Sequence, residues 1–390
     1  MRAVFLPSDV HGTAAAPPSK SMAHRALICG AFSRGSKIIG VSNSEDMQAT
    51  LSCLKALGAD IMRRGDRVTL GGLRPNGGIL DCRESGSTLR FLLPAALLST
   101  MPVILTGRPR LMERGVGVYR EICAQKGLYF AQDDQGITVQ GPLQSGVYDL
   151  PGNVSSQFIS GLMFVLPLLK GDSVIRVHGK FESASYVLMT IEVLQLFDIE
   201  IRRDGQDFRI RGGQRYEGRQ LQVEGDWSNA AFLSAMGARV IGLNPNSTQG
   251  DRVYPQLFDQ IGKTQIDLSD CPDLAPVLFA LAALRGGGRF SGTARLRIKE
   301  SDRAMAMKEE LEKFGVTTEV YDNEVRIRGT AHAPSAPLCG HNDHRIVMAL
   351  SVLCAKFGGE IEGAQAVKKS FPNFFEVIKT LDVQVKVSET

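Results

Sequence analysis

The sequence predicts an α/β (α+β) protein of two domains, each assembled from three repeated helix–strand units. Three observations predict it. A helical run ending in small or polar residues is followed by an apolar strand, an Asp/Gly turn and often a second strand, and this order keeps returning. The copies recur at roughly 50–70 residues, a period at which internal repeats are sought before any other fold. At 390 residues the chain also exceeds what one hydrophobic core organises, so the six units divide into two domains.

The elements follow in order. Residues 54–61 run as helix into strand, turn at Gly65-Asp66 and return through 68–70. Residues 121–130 turn at Asp133-Asp134 into 137–139, and residues 193–199 turn at Asp204-Gly205 into 208–210. A looser copy lies at 257–262. Residues 311–316 pass through Asp322-Asn323 into 325–327, and a last copy at 377–383 closes the chain. The most apolar stretches, 91–105 and 158–169, are interrupted by Pro94, Pro102 and Pro167, which makes them buried helix and strand rather than membrane spans. Residues 1–7 lack the apolar run of a signal peptide, so a cytoplasmic protein is expected.

Composition narrows the partners. Lys plus Arg exceed Asp plus Glu by 45 to 41, and the resulting charge of +4 is spread without a basic run. With a single tryptophan, Trp227, that argues against nucleic acid. The seven cysteines are odd in number, scattered and without a CxxC, which reads as free thiols in a reducing compartment.

Two clusters far apart in the chain carry the chemistry. Lys299-Glu300-Ser301-Asp302-Arg303 and Asn342-Asp343-His344-Arg345 each set a guanidinium within a few residues of carboxylates, ahead of an apolar helical stretch. An arginine so placed grips a carboxylate or phosphate bidentately, while the neighbouring acid holds it or handles protons. Ser19-Lys20-Ser21-Met22-Ala23-His24-Arg25 adds a third basic site. Pro17-Pro18 gives it an extended approach, Ser19 or Ser21 caps a helix starting near Ser21, and Lys20 adds a point charge. Three anion-gripping motifs point to one small, multiply charged substrate, or to two.

Other motifs leave two readings open. Glu84-Ser85-Gly86-Ser87-Thr88-Leu89-Arg90 sets a small-residue loop before an apolar helix, with Gly86 allowing close backbone approach, and it lacks the Gly-Lys-Ser/Thr of a nucleotide loop. Ser155-Ser156-Gln157 and, more weakly, Ser183-Ala184-Ser185-Tyr186 bring hydroxyls to helix starts, either to meet a phosphate or polyol or only to cap. Asp273, between Pro272 and Pro276 before the apolar run 277–284, reads as a cap or as a general base. His341, Asp343 and His344 lack a metal-ligand spacing, so no metal site is expected.

Taken in order, these motifs resemble the EPSP synthase (3-phosphoshikimate 1-carboxyvinyltransferase) family over nearly the whole chain. Pro109-Arg110-Leu111-Met112-Glu113-Arg114, Val223-Glu224-Gly225-Asp226 and Lys369-Ser370-Phe371-Pro372 extend the match. The resemblance implies the two-domain enolpyruvyl transferase fold, each domain holding three βαβαββ-type repeats around buried helices. Residues 1–18 with 225–390 would form one domain and 19–224 an inserted one, with the active site in the cleft between them. It implies transfer of the enolpyruvyl group from phosphoenolpyruvate to the 5-hydroxyl of 3-phosphoshikimate by a cytoplasmic monomer. No metal, organic cofactor, nucleic acid or membrane takes part.

The resemblance also implies roles. Lys20, Arg114, Arg303, Arg345 and Lys369 bind phosphoenolpyruvate, with the Gly86 backbone and Gln157 assisting. Ser21 and Arg25 hold the shikimate carboxylate; Ser155, Ser156, Ser183 and Lys299 receive its phosphate, with Gln157 and Tyr186 beside them. Asp273 orients the ring hydroxyls and accepts the 5-hydroxyl proton, Glu300 moves the proton at the methylene carbon, and Lys20 assists the departing phosphate. One departure is Glu84, where many relatives carry asparagine. The alternative is a sugar-nucleotide (UDP-N-acetylglucosamine) enolpyruvyl transferase, a branch that typically has a cysteine in the loop spanning residues 108–118; none occurs there.

Overall fold

Strand pairing repeats as the sequence pattern does. In the computed structural model, which describes residues 1–389, five four-stranded sheets share one order: a parallel pair followed by two antiparallel neighbours. The chain divides into two compact units, one of Pro18–Glu224 and one of Met1–Pro17 with the chain from Gly225 onward.

The Pro18–Glu224 unit holds three of these sheets. Their strands run Gln220–Gln222, Ser36–Ile39, Arg67–Gly71, Asp60–Arg64 in the first and Gly78–Asp81, Val103–Thr106, Gly136–Gln140, Tyr129–Asp133 in the second. The third runs Gly146–Pro151, Ser173–His178, Asp207–Ile210, Ile201–Asp204. Each hairpin closes over two residues, pairing Arg64 with Arg67, Asp133 with Gly136 and Asp204 with Asp207. Gly65 and Gly205 sit in those tips at φ 62°, a left-handed conformation that a tight hairpin needs and that glycine adopts without strain.

The other unit departs from strict repetition. One sheet, Gln265–Asp267, Gly287–Ser291, Glu324–Arg328, Thr317–Val320, keeps the full pattern. In the next, Leu338–Cys339, Gly359–Glu362, Arg2–Phe5 and Val385–Ser388, the N-terminal strand takes the place of a returning hairpin strand. The looser copy expected at 257–262 has its helix but no hairpin of its own. Its sheet is only the parallel pair Thr13–Ala15 and Arg239–Ile241, and Gln265–Asp267 joins the following sheet instead.

Thirteen helices complete the described residues: α1 Lys20–Phe32, α2 Glu45–Ala56, α3 Gly86–Ala96, α4 Pro109–Glu113, α5 Gly117–Lys126, α6 Ser156–Val165 and α7 Ala184–Leu196 in one unit. The other has α8 Trp227–Met236, α9 Tyr254–Gln260, α10 Ala275–Leu284, α11 Arg303–Lys313, α12 His344–Phe357 and α13 Phe374–Lys379. Within the first, α3 packs on α6, α6 on α7 and α7 on α1, forming a core that is apolar almost all round each helix. Helices α10 and α12 play that part in the other. None of the helices among the described residues is long and apolar enough to cross a membrane.

Helix α11 corrects one expectation. It is not apolar: Ala304, Met307 and Leu311 face inward while Glu309 and Glu312 are exposed, so it is amphipathic and lies at the surface of its unit.

Candidate active site

Asp273 stands in the single-turn 3-10 helix Pro272–Leu274 that leads into α10. The α10 cap position is Leu274, so the Asp273 carboxylate is not spent on capping. Its Oδ1 accepts from Lys299 Nζ at 3.2 Å and Arg303 Nη1 at 2.8 Å, and its Oδ2 from Arg345 Nη2 at 2.9 Å. Burial alone would push this carboxyl up, but Arg345, Lys299 and Arg303 outweigh it and hold Asp273 well below the ordinary carboxylate range. Of the two sequence readings, capping of α10 is thereby removed; the carboxylate is paired with three cations instead.

The KESDR and NDHR motifs divide their acids by task. Asp302 and Asp343 are the N-caps of α11 and α12, accepting the backbone N–H of Met305 at 3.2 Å and of Arg345 at 2.9 Å. These caps start each helix so that Arg303 and Arg345 project from its first turn toward Asp273. Arg303, 1% exposed, donates from Nη2 to Glu300 at 2.7 Å and from Nε to Asp343 at 2.8 Å. Burial lowers its affinity for the proton, yet Asp343, Glu300 and Asp273 reverse that and raise it above its usual value. Lys299 is pushed down to about 8, first by burial and then by Arg303 and Arg295, against the pull of Asp273 and Glu300. Lys369 donates to the Asn342 carbonyl oxygen. Asp273, Lys299, Glu300, Arg303 and Arg345 are thus one cluster, and Lys369, at the end of the 3-10 helix Ala364–Lys369, is bonded to the loop that precedes α12.

Behind Asp273 lies a carboxyl that sequence reasoning missed. Asp251 is buried, accepts from the Ser228 hydroxyl, and has a second oxygen without a hydrogen-bond partner. Burial, then the Asp273 charge, push it up to about 7, against Arg345 and Ser228. Its native pKa therefore exceeds its unfolded one, so between about pH 4 and 7 the native state binds the extra proton and this group's contribution to stability falls as pH rises. Asp251→Asn is expected to match wild type at about pH 4 and to be more stable than wild type at pH 8. Urea melts at both pH values check it; equal stability at pH 8 would show that Asp251 costs nothing when ionised.

The Pro18–Glu224 unit carries the remaining candidates at helix starts. Ser19, not Ser21, caps α1, which begins at Lys20. Lys20 Nζ lies 2.7 Å from Asp46 Oδ2 in α2, both side chains largely buried. Arg25 is packed under α7, donating to Ser21 O at 2.7 Å, Tyr186 O at 2.8 Å and Thr190 Oγ1 at 2.8 Å. A hydroxyl chain then joins the helices: His24 Nδ1 to Thr50 at 2.8 Å, Thr50 to Thr88 at 2.7 Å, and Thr88 to Ser85, the α3 cap, at 2.7 Å. Burial, followed by Lys20 and Arg25, drives the His24 pKa far down, so this imidazole is neutral and structural.

Arg90 gathers a second group. It donates to Gln157 Oε1 at 2.8 Å and to the carbonyl of Arg114 at 3.1 Å, while Gln157 Nε2 donates to Ser87 at 2.9 Å. The Arg114 guanidinium rests on Gly86: a methyl built there would meet Nη2 at 3.0 Å and Cζ at 3.2 Å. Ser155 caps α6, as the bland reading had it, and Ser156 and Ser183 are buried at the starts of α6 and α7. Gly86, Arg114, Gln157 and Ser155 form one group; Ser21, Arg25 and Tyr186 form another, and Lys20 stands with Asp46.

Sequence reasoning missed Asp46, Arg90 and Thr190, which hold Lys20, Gln157 and Arg25. Asp46 follows the Ser44 cap and reads as an ordinary first-turn acid. Metal chemistry finds one grouping among the described residues, Glu309, Glu310 and His341, not the His341–Asp343–His344 set. There Lys313 Nζ lies 3.0 and 2.9 Å from the two Glu310 oxygens and neutralises that carboxylate.

Comparison with known proteins identifies the family. The family model described as EPSP synthase (3-phosphoshikimate 1-carboxyvinyltransferase) matches residues 5–266 and 233–378. The 3-phosphoshikimate 1-carboxyvinyltransferase of Clostridium kluyveri is 38% identical, with 97% of each chain covered. The enzyme of that name from Brachyspira hyodysenteriae is 34% identical over 99% of this chain and 100% of its own. An EPSP synthase structure from Acinetobacter baumannii superposes with a TM-score of 0.80 over 100% of both chains at 23% identity, which shows the shared two-domain fold. The chain belongs to the EPSP synthase (3-phosphoshikimate 1-carboxyvinyltransferase) family.

Proposed function

We propose that the protein transfers the enolpyruvyl group of phosphoenolpyruvate to the 5-hydroxyl of 3-phosphoshikimate, releasing phosphate. The observation that carries this reading is the largely buried carboxylate Asp273, ringed by Lys299, Arg303 and Arg345 with Glu300 alongside. Without substrate the ring is charge-paired within the protein. Anionic substrates would exchange with it: the phosphate of 3-phosphoshikimate draws on Lys299, and phosphoenolpyruvate on Arg303, Arg345 and Lys369. Each cation withdrawn from Asp273 makes that carboxylate more basic. It then orients the ring hydroxyls and takes the 5-hydroxyl proton as the oxygen attacks C2 of phosphoenolpyruvate.

Glu300 adds a proton to the methylene carbon in the addition and removes one from the resulting methyl as phosphate leaves, so the overall reaction is proton-neutral at that residue. Lys20, Arg114, Gln157 and the Gly86 backbone complete the phosphoenolpyruvate contacts. Ser21, Arg25, Ser155, Ser156, Gln157, Ser183 and Tyr186 hold the other substrate, and Lys20 neutralises and protonates the departing phosphate, which leaves with the equivalent of the proton that Asp273 takes. Residues of both units serve one substrate pair in this reading. No metal or organic cofactor is required, because every charge the reaction develops has a side-chain counterpart. The protein acts as a cytoplasmic monomer, in keeping with seven free cysteines, and sedimentation equilibrium at 42.3 kDa would check the monomer.

Incubation with phosphoenolpyruvate and 3-phosphoshikimate together should release phosphate, and neither alone should. Release only when UDP-N-acetylglucosamine replaces 3-phosphoshikimate would overturn the assignment.

Gly86 offers a finer check with glyphosate, a phosphonate that mimics the phosphoenolpyruvate end. Gly86 is the first residue of α3 and has no left-handed φ, so Gly86→Ala should fold normally. The new methyl crowds the space a longer inhibitor needs and nudges the Arg114 guanidinium by a few tenths of an ångström. The inhibition constant should rise far more than the Michaelis constant for phosphoenolpyruvate. Equal inhibition of both proteins in a competition assay would sink the steric argument.

A further inference from the structure

We propose that Glu310 and His341 are positioning residues, which lock the loop of residues 339–343 so that Asn342, Asp343 and Arg345 stand correctly for phosphoenolpyruvate. The inference rests on the function proposed above.

Arg303 and Glu310 are seven residues apart on α11, about 20° short of two full turns, so they share a face of the helix. Both are 1% exposed. Both grip the same loop. Arg303 holds its far end through Asp343 at 2.8 Å. Glu310 holds its near end, where Oε1 lies 2.9 Å from His341 Nε2 and Oε2 accepts the Cys339 N–H at 3.0 Å. Lys313 braces Glu310 from the next turn.

Between the two grips the backbone is costly. His341 and Asn342 are consecutive non-glycine residues at φ 47° and 50°, in the left-handed region where a side chain crowds its own carbonyl. Such a pair persists only where its surroundings over-determine it. The turn it makes delivers the Asn342 carbonyl to Lys369 and sets Asp343 as the cap from which Arg345 projects to Asp273. The hydrogen bonds and ion pairs of Glu310 go to Lys313, Cys339 and His341, none of them a candidate substrate residue. A buried carboxylate with this many donors is explained by the loop it secures rather than by chemistry.

Three variants test this. His341→Gly suits the left-handed backbone, so it should fold and melt close to wild type, yet it cuts the tether to Glu310. It should raise the Michaelis constant for phosphoenolpyruvate about tenfold while leaving that for 3-phosphoshikimate within about twofold, a split that a loss of bulk stability would not produce. Glu310→Gln, which keeps the shape but loses the charge, should shift the same constant in the same direction. His341→Gln can place its amide nitrogen near the Nε2 position and should restore most of the loss. If wild type turns over and His341→Gly keeps its phosphoenolpyruvate constant, the clamp is wrong and the proposed function stands. If wild type does not turn over the substrate pair, both fall.

Discussion

Replacing Arg303 with alanine is expected to cost about 3–5 kcal/mol of folding stability and to abolish turnover. The guanidinium is 1% exposed and bonded to Asp273, Glu300 and Asp343, two of them at least four-fifths buried and the third completely so. Alanine leaves those charges facing one another, with Lys299 and Arg345 still on Asp273 but no guanidinium bridging the three carboxylates. Arg303→Lys should fare little better, because an ammonium is a point charge and cannot reach three carboxylates as a planar fork does. The effect should depend on pH. Asp273 and Asp343 have native pKa values held below their unfolded ones, so their stabilisation is present above about pH 4 and is lost as pH falls further. The gap between wild type and Arg303→Ala should therefore be full at pH 7 and shrink toward pH 3. Urea melts across that range measure it. A loss below about 1 kcal/mol at pH 7 would place the cluster with solvent-screened surface pairs and overturn the argument.

Local signals were legible in the sequence, and long-range ones were not. The hairpins at Gly65 and Gly205 were readable because a two-residue turn announces itself by its own residues. The place of Arg2–Phe5 in the last sheet was not, since strand pairing across almost the entire chain leaves no neighbouring pattern to find. At the site, motif arginines and lysines were visible because a cation beside acids at a helix start is unusual. Their holders were not. Asp46, Arg90, Asp251 and Glu310 each look ordinary along the chain, and their meaning comes from a partner distant in sequence. Asp273 lies between these cases: the sequence left cap and base open, and the structure removes only the cap, setting the carboxylate among three cations. The α11 error has a similar source. Ala304, Met305, Ala306 and Met307 suggest an apolar helix, but Met305 is exposed and the charged second half fixes the helix as a surface one.

Lys20→Ala should fold and lose roughly 10²–10³ in turnover, the scale seen when one preorganised charge or donor is removed from a reaction centre. Part of that loss belongs to Asp46. Lys20 Nζ lies 2.7 Å from Asp46 Oδ2, with side-chain exposures of 13% and 12%, so deleting the lysine uncovers a carboxylate that repels an incoming phosphate. The double variant Lys20→Ala, Asp46→Asn separates the two. Removing the stray charge should recover most of the loss in substrate binding, and the Michaelis constants should return toward wild type. It should not recover the turnover number, because no cation is restored to the departing phosphate. If the double variant regained the turnover number as well, Lys20 would serve only to neutralise Asp46. A single variant within tenfold of wild type in turnover would remove Lys20 from the chemistry altogether.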